Sequence, residues 1–369
     1  MFTMASTLRL VLITLLCISR AAIAQSLQND EGYALFEHPG RMVRLATGNR
    51  LSLYCAGTAG PTVVLETGFG GGAYAAWHVI QPMLAKTVRT CSYDRAGYGF
   101  SELGTDLPRD IKHDVLDLYA LLHAAREQGP YILVGHSDGG HIIGAFADRF
   151  PTEVAGLVFL DAAVSLEKHR QDGAPDAPTP ELIVYEKQQL DQIHACLRRA
   201  EKSSERLVAA PGDYCLDRDE TSKLPSRMAD ALSVIAARPD TWKAFLSEAE
   251  QHYVVQDDGW EESLLPHRWS KVPIRVFTAS VASLDDKHSA ALYGLPVSDH
   301  KAIAAAREGR KHWESLQARI CHFSFSCESF VIPTSEHLVQ NVAPDKVTAA
   351  IGDLVAQIRS KRRLETVRK

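Results

Sequence analysis

The stretch that decides the reading of this chain is VGHSDGG, Val134 to Gly140. It follows the apolar run Tyr131-Ile132-Leu133 and precedes Ile142, Ile143 and Phe146, which recur at helical spacing. An ordinary surface turn needs one or two glycines. Here Gly135 and Gly139 flank a serine, Ser137, between an apolar strand and an apolar helix. G-x-S-x-G in that context predicts a sharp strand-to-helix turn that lifts the serine hydroxyl out of the backbone, the glycines avoiding clashes across the turn. As a bare pattern it is weak, and it could be a structural turn; the flanking elements make it specific.

The pattern around it is strand, helix, strand, helix, strand. Met42–Thr47, Arg50–Cys55, Pro61–Glu66, Val88–Tyr93, Tyr131–Val134 and Val154–Leu160 read as strands. Ile111, Val115, Leu118 and Leu122 place a helix from Asp110 to Gly129-Pro130. The strands are continuously apolar rather than alternating, which implies a mostly parallel sheet buried by helices on both faces. In such sheets ligands sit at the carboxyl ends of the strands, where the glycine-rich and charged motifs fall. From Val164 to Arg268 the chain is charged and helix-prone, without βα alternation, and opens on the Pro/Asp/Gly/Ala-rich segment Gln171–Pro180. We read 164–268 as a helical insertion over the sheet, with 25–163 and 269–369 forming the core. Pro273–Thr278 reads as a strand, Lys311–Arg319 as a helix and Phe330–Ile332 as part of the last strand. Pro344 opens a closing helix.

The 369 residues are 46% hydrophobic and 23% charged, with a net charge of −5: globular composition, with basic residues scattered rather than banded. Nucleic acid is not an expected partner, and Lys361-Arg362-Arg363 reads as a solvated helix end. Arg9, the apolar run Leu10–Ile18 and Ala22-Ile23-Ala24 read as a signal peptide over residues 1–24, too short to span a bilayer; an uncleaved anchor is the alternative. Secretion, or export to the periplasm, is the expectation, with no membrane span once the signal is removed. Cleavage would remove Cys17 and leave six cysteines: Cys55, Cys91, Cys196, Cys215, Cys321 and Cys327. An even number in an exported chain favours disulfides, though fifteen connectivities are open. No spacing resembles a zinc site, so neither metal nor cofactor is implied.

A serine hydroxyl alone is a poor nucleophile; it needs a base, an orienting acid and oxyanion donors. The donors expected from this geometry are the N–H of Asp138, next after the serine, and that of Phe69 in the glycine-rich loop Thr67–Gly72. The base is read as His337, between the last strand and the closing helix. The acid stays open: Asp161, at the end of the Val154–Leu160 strand, is favoured; Asp285 or Asp286 and then Glu167 are the alternatives. Phe69, Tyr74 and Trp77 either line an acyl pocket or are packing.

With these residues in place, the chain resembles the α/β-hydrolase-fold proteins, in the group that includes esterases, proline iminopeptidases, epoxide hydrolases and haloalkane dehalogenases. The resemblance rests on "LETGFGGG" (65–72), "YDRAGYGFSE" (93–102), "VGHSDGG", "GLVFLDAA" (156–163) and "PTSEHLVQNVAPDKV" (333–347). It implies an eight-stranded, mostly parallel sheet with a helical cap inserted after the sixth strand. It makes a Cys55–Cys91 bridge between neighbouring strands plausible. With serine at position 137, the resemblance is to the acyl-transfer branch. It also implies a departure: the family's commonest acid position, after the seventh strand, reads Ala279-Ser280-Val281-Ala282 and holds no acid. Some relatives carry the acid where Asp161 stands. The expectation is therefore a serine hydrolase acting on a small-molecule ester, with an amide- or peptide-cleaving aminopeptidase, or a silent binding protein on the same scaffold, as alternatives. Oligomeric state is not legible.

Overall fold

A computed structural model describes residues 32–105, 107–163, 180–203, 205–251, 269–280, 298, 300–334 and 336–367. Residues 1–24, read above as a signal peptide, and Glu167, Asp285 and Asp286 lie outside the described residues.

Eight strands form one sheet in the order β1-β2-β4-β3-β5-β6-β7-β8. They are β1 Arg41–Arg44, β2 Arg50–Ala56, β3 Val63–Glu66, β4 Thr90–Tyr93, β5 Tyr131–His136, β6 Val154–Leu160, β7 Ile274–Ser280 and β8 Cys327–Pro333. The β1–β2 and β2–β4 pairs are antiparallel, and every pairing from β4 across to β8 is parallel. The helices are α1 Ala73–Trp77, α2 Ile80–Ala85, α3 Ile111–Ala124, α4 Gly139–Arg149, α5 Pro180–Glu201, α6 Arg218–Thr221, α7 Ser226–Ala236, α8 Pro239–Ala249, α9 His300–Ile320, α10 Val339–Val342 and α11 Pro344–Val367.

The apolar runs explain the layering. Along β5, Ile132 and Val134 join one buried cluster with Trp77, Ile80 and Ile351. Tyr131 and Leu133 join the other with Leu118, Ile143 and Ile320. Alternate side chains point to opposite faces of a strand, and α1, α2 and α11 cover one face while α3, α4 and α9 cover the other. Both faces are dry, so the strand reads apolar throughout. Asp110 caps α3 by accepting from the His113 N–H at 2.8 Å.

Between β6 and β7 the described residues carry α5 to α8 and an isolated bridge, Ala210 to Asp217. Ile193, Leu232 and Trp242 of these helices pack into the same cluster as α1 and α11. Three disulfides form: Cys55–Cys91, Cys196–Cys215 and Cys321–Cys327. The first joins directly opposed residues of β2 and β4.

Some expectations shift. β3 begins at Val63 rather than Pro61, and β4 at Thr90 rather than Val88. The helix expected over Lys311–Arg319 runs from His300. Of the two readings of Trp77, acyl pocket or packing, its complete burial in a core cluster fits packing.

Candidate active site

Ser137 directly follows β5 in left-handed backbone, at φ +53°, a conformation that costs a non-glycine residue about 1–3 kcal/mol and persists only where its surroundings over-determine it. They do so here. The Ser137 N–H donates to Leu160 O at 3.3 Å, and its carbonyl accepts from Gly140 and Ala163, both at 2.8 Å. A side chain at Gly135 would meet Gly139 O at 2.4 Å, and one at Gly139 would meet Glu66 O at 2.5 Å. The flanking glycines thus let α4 start directly on the strand ends. Asp138 occupies the N-cap position of α4, at the positive end of that helix.

The glycine-rich loop after β3 lies against the serine: a Cβ on Gly68 would sit 2.8 Å from Ser137 Cβ. Phe69 follows at once, its ring 5.2 Å from that of Phe245 on α8.

Asp161 follows β6, wholly buried and also in left-handed backbone, at φ +43°. Its Oδ2 accepts from His337 Nδ1 at 2.7 Å. Arg310 Nη2 reaches Oδ1 at 2.7 Å and Oδ2 at 2.8 Å. Oδ1 also accepts from the Trp313 indole at 3.0 Å and the Ala279 N–H at 3.1 Å. Burial alone would push this carboxyl up; the His337 hydrogen bond and the Arg310 charge outweigh it and hold it below its usual range.

His337 lies in the β8–α10 loop with its side chain about half exposed. Its carbonyl accepts from His136 Nε2 at 3.1 Å, and the two rings lie 4.6 Å apart. His136 immediately precedes Ser137, so this contact brings the His337 loop to the elbow. A carbonyl only accepts, so Nε2 carries the His136 proton. Burial, then the neighbouring His337, push the His136 pKa down to about 3, so the ring is neutral at working pH.

Sequence reasoning named Ser137, His337, Asp161, Phe69 and Asp138, and the structure brings all five to the carboxyl ends of β3, β5, β6 and β8. It missed Arg310 and Trp313, which complete the setting of Asp161. It also missed the polar cluster under the glycine loop. Arg95, from the "YDRAGYGFSE" stretch, is buried and donates to Thr67 O at 2.7 Å and Gly68 O at 3.1 Å. It pairs with Glu66 at 3.3 Å, Asp114 at 3.4 Å and Glu248 of α8 at 2.5 Å. Three carboxylates around one guanidinium were the available signal, but they are spread over 183 positions of sequence.

Cys55, Cys91 and Glu127 are, among the described residues, the one group with metal-ligand spacing. Both sulfurs are spent in the disulfide, and Glu127 pairs with Arg41 and Arg89.

A family model described as the alpha/beta hydrolase fold matches residues 61–190. The chain has the α/β-hydrolase fold. Solved structures of this fold align along most of the chain. A meta-cleavage product hydrolase from Pseudomonas fluorescens covers 86% of this chain and 98% of its own, with a TM-score of 0.55 at 17% identity. A thermophilic esterase from Thermogutta terrifontis covers 86% and 98%, at 0.50 and 19%. Among curated proteins, a 2-hydroxy-6-oxo-2,4-heptadienoate hydrolase of Pseudomonas putida is 36% identical over 130 residues, 35% of this chain and 46% of that protein. The chain thus matches under half the length of that relative. Several of the relatives carry the names of hydrolases, which describe those proteins.

Proposed function

We propose that this protein is a hydrolase that cleaves a carboxylic ester through an acyl-enzyme on Ser137. Ser137 Oγ attacks the acyl carbonyl, and His337 takes its proton at Nε2. Asp161 holds the opposite ring nitrogen and stabilises the imidazolium that forms. The N–H groups of Phe69 and Asp138 take the oxyanion. His337 then protonates the leaving alkoxide, and water, deprotonated by the same ring, releases the acid and restores Ser137. The observation that carries this reading is the 2.7 Å contact from His337 to Asp161 on a loop joined to the elbow through His136. Export to an oxidising compartment is part of the proposal; the signal-like segment 1–24 and three disulfides support it.

A second reading is favoured by the named relatives: the same triad would hydrolyse an oxo-dienoate, the substrate class in the printed name of the Pseudomonas putida relative. Turnover of p-nitrophenyl esters, of amino-acid anilides and of a keto-dienoate by the purified protein, each with a Ser137→Ala control, separates the readings. Ester turnover lost in Ser137→Ala supports the proposal. Turnover confined to anilide or dienoate would replace the ester, and turnover that survives Ser137→Ala would refute the nucleophile.

A further inference from the structure

Two residues one turn apart on the cap helix α8 grip the loop that supplies the oxyanion donor. The Gly70 N–H donates to Glu248 Oε2 at 3.3 Å. Oε1 of the same carboxylate accepts from Arg95 Nη2 at 2.5 Å, and Arg95 holds the carbonyls of Thr67 and Gly68. Tyr98 donates its hydroxyl to Glu248 as well. Phe69 thus lies between two carbonyls tied down on one side and an N–H tied down on the other. Phe245, at i−3 from Glu248, stacks edge-on against Phe69. It also leaves no room beside Gly70, where a Cβ would meet its ring at 2.7 Å, and Gly70 takes a φ of +63°.

We propose that Glu248 is a positioning residue for oxyanion binding: from the cap it fixes the backbone on both sides of Phe69 and so pre-sets the donor opposite Ser137. The inference rests on the serine-hydrolase reading above. Its chemistry is preorganisation. A donor that must be re-aimed during the reaction loses part of the advantage of one already in place.

The design of the test follows from what else Glu248 touches. Arg95 keeps Glu66 and Asp114 when Glu248 is changed, so the buried cation is never left alone. Glu248→Asp keeps the charge facing Arg95 but withdraws the carboxylate from Gly70 by one methylene. Glu248→Gln keeps, through its one carbonyl oxygen, an acceptor within reach of Gly70, but turns an amide NH2 donor toward Arg95 in place of Oε1 and so gives up both the charge and that hydrogen bond. A residue that only neutralises Arg95 would tolerate Asp and suffer with Gln; a residue that positions the loop does the reverse. Wild-type ester turnover and its loss in Ser137→Ala are established first, so a failure of the underlying reading shows there and not in the variants. We expect Glu248→Asp to lose about 10- to 100-fold in kcat, less than deletion of an oxyanion donor. KM should stay within about three-fold, and affinity for an alkyl boronic acid, which forms a tetrahedral adduct on Ser137, should fall by the same factor as kcat. Glu248→Gln should keep kcat within about five-fold. The inference is overturned if Glu248→Asp keeps wild-type kcat, if the order of the two variants is reversed, or if the loss appears in KM alone.

Discussion

The Arg310 guanidinium lies against both oxygens of Asp161, at 2.7 and 2.8 Å, while His337 donates to one of them at 2.7 Å. Arg310 also donates to the Ala279 carbonyl, at 2.6 Å from Nη2 and 3.1 Å from Nε. The cation therefore ties the end of β7, where the sequence offers no acid, to the acid at the end of β6.

That contact fixes the sign of a pH effect. Asp161 is held below the usual carboxylate range, so it stays ionised as pH falls toward about 4, the ordinary value for an aspartate. Its folded-state pKa is depressed, so its ion pairs add stability above that value and lose it as pH falls through the folded-state pKa. Arg310→Met removes one of the two lowering influences. The acid-side loss of folding stability should therefore begin at higher pH in the variant, with the alkaline side unchanged. Denaturant unfolding of the two proteins across the acid range checks this; an unmoved or downward-shifted acid-side loss refutes it.

Asp161→Asn should cost about 10³- to 10⁴-fold in kcat, since an amide neither fixes the His337 tautomer nor stabilises the imidazolium. Asp285→Asn and Asp286→Asn should remain within a few-fold of wild type. Steady-state kinetics on the three variants settle the acid, and a large loss in either Asp285 or Asp286 with little in Asp161 would reassign it.

Gly68→Ala places a methyl 2.8 Å from Ser137 Cβ, so the loop must move away from the nucleophile. A misplacement of about 1 Å costs on the order of 10²-fold in rate. We expect that loss in kcat/KM with an unchanged far-ultraviolet circular dichroism spectrum. Near-wild-type activity would show that the loop does not serve Ser137.

The Cys196–Cys215 bridge closes a separation of 19 residues between α5 and the segment before α6. By the loop-entropy argument its removal costs about 3 kcal/mol, expressed in the α5–α6 segment. The Cys196→Ser/Cys215→Ser protein should be cut by trypsin within α5–α6 before its core is cut. Protection equal to wild type would contradict this.

Much of this was legible in the sequence because its signals are local. The elbow is seven consecutive residues, and the period change at Asp110 is read within one helix. The continuous apolar runs follow from a sheet buried on both faces. What the sequence left open depends on distant contacts. Asp161, Asp285 and Asp286 all follow a strand, and only the three-dimensional approach of His337 distinguishes Asp161. Arg310 is one of several basic residues on α9, and nothing in its spacing points across to β6. The helix itself reads short because Gly309 interrupts the pattern, costing about 1 kcal/mol relative to alanine, yet α9 runs through it. Glu248 lies 178 positions from Gly70, on helix α8, whose face toward the loop could not be told from its solvent face. Trp77 near a strand end reads equally as pocket or core, and burial decides for core.

The central claim is that Ser137 is an activated nucleophile. The direct measurement is reaction of the purified protein with a fluorophosphonate probe, the modified residue then located by peptide mass spectrometry. The account predicts a single adduct on Ser137 that is abolished in His337→Ala and slowed in Asp161→Asn. A folded protein that takes up no probe, or takes it up at another residue, would contradict it.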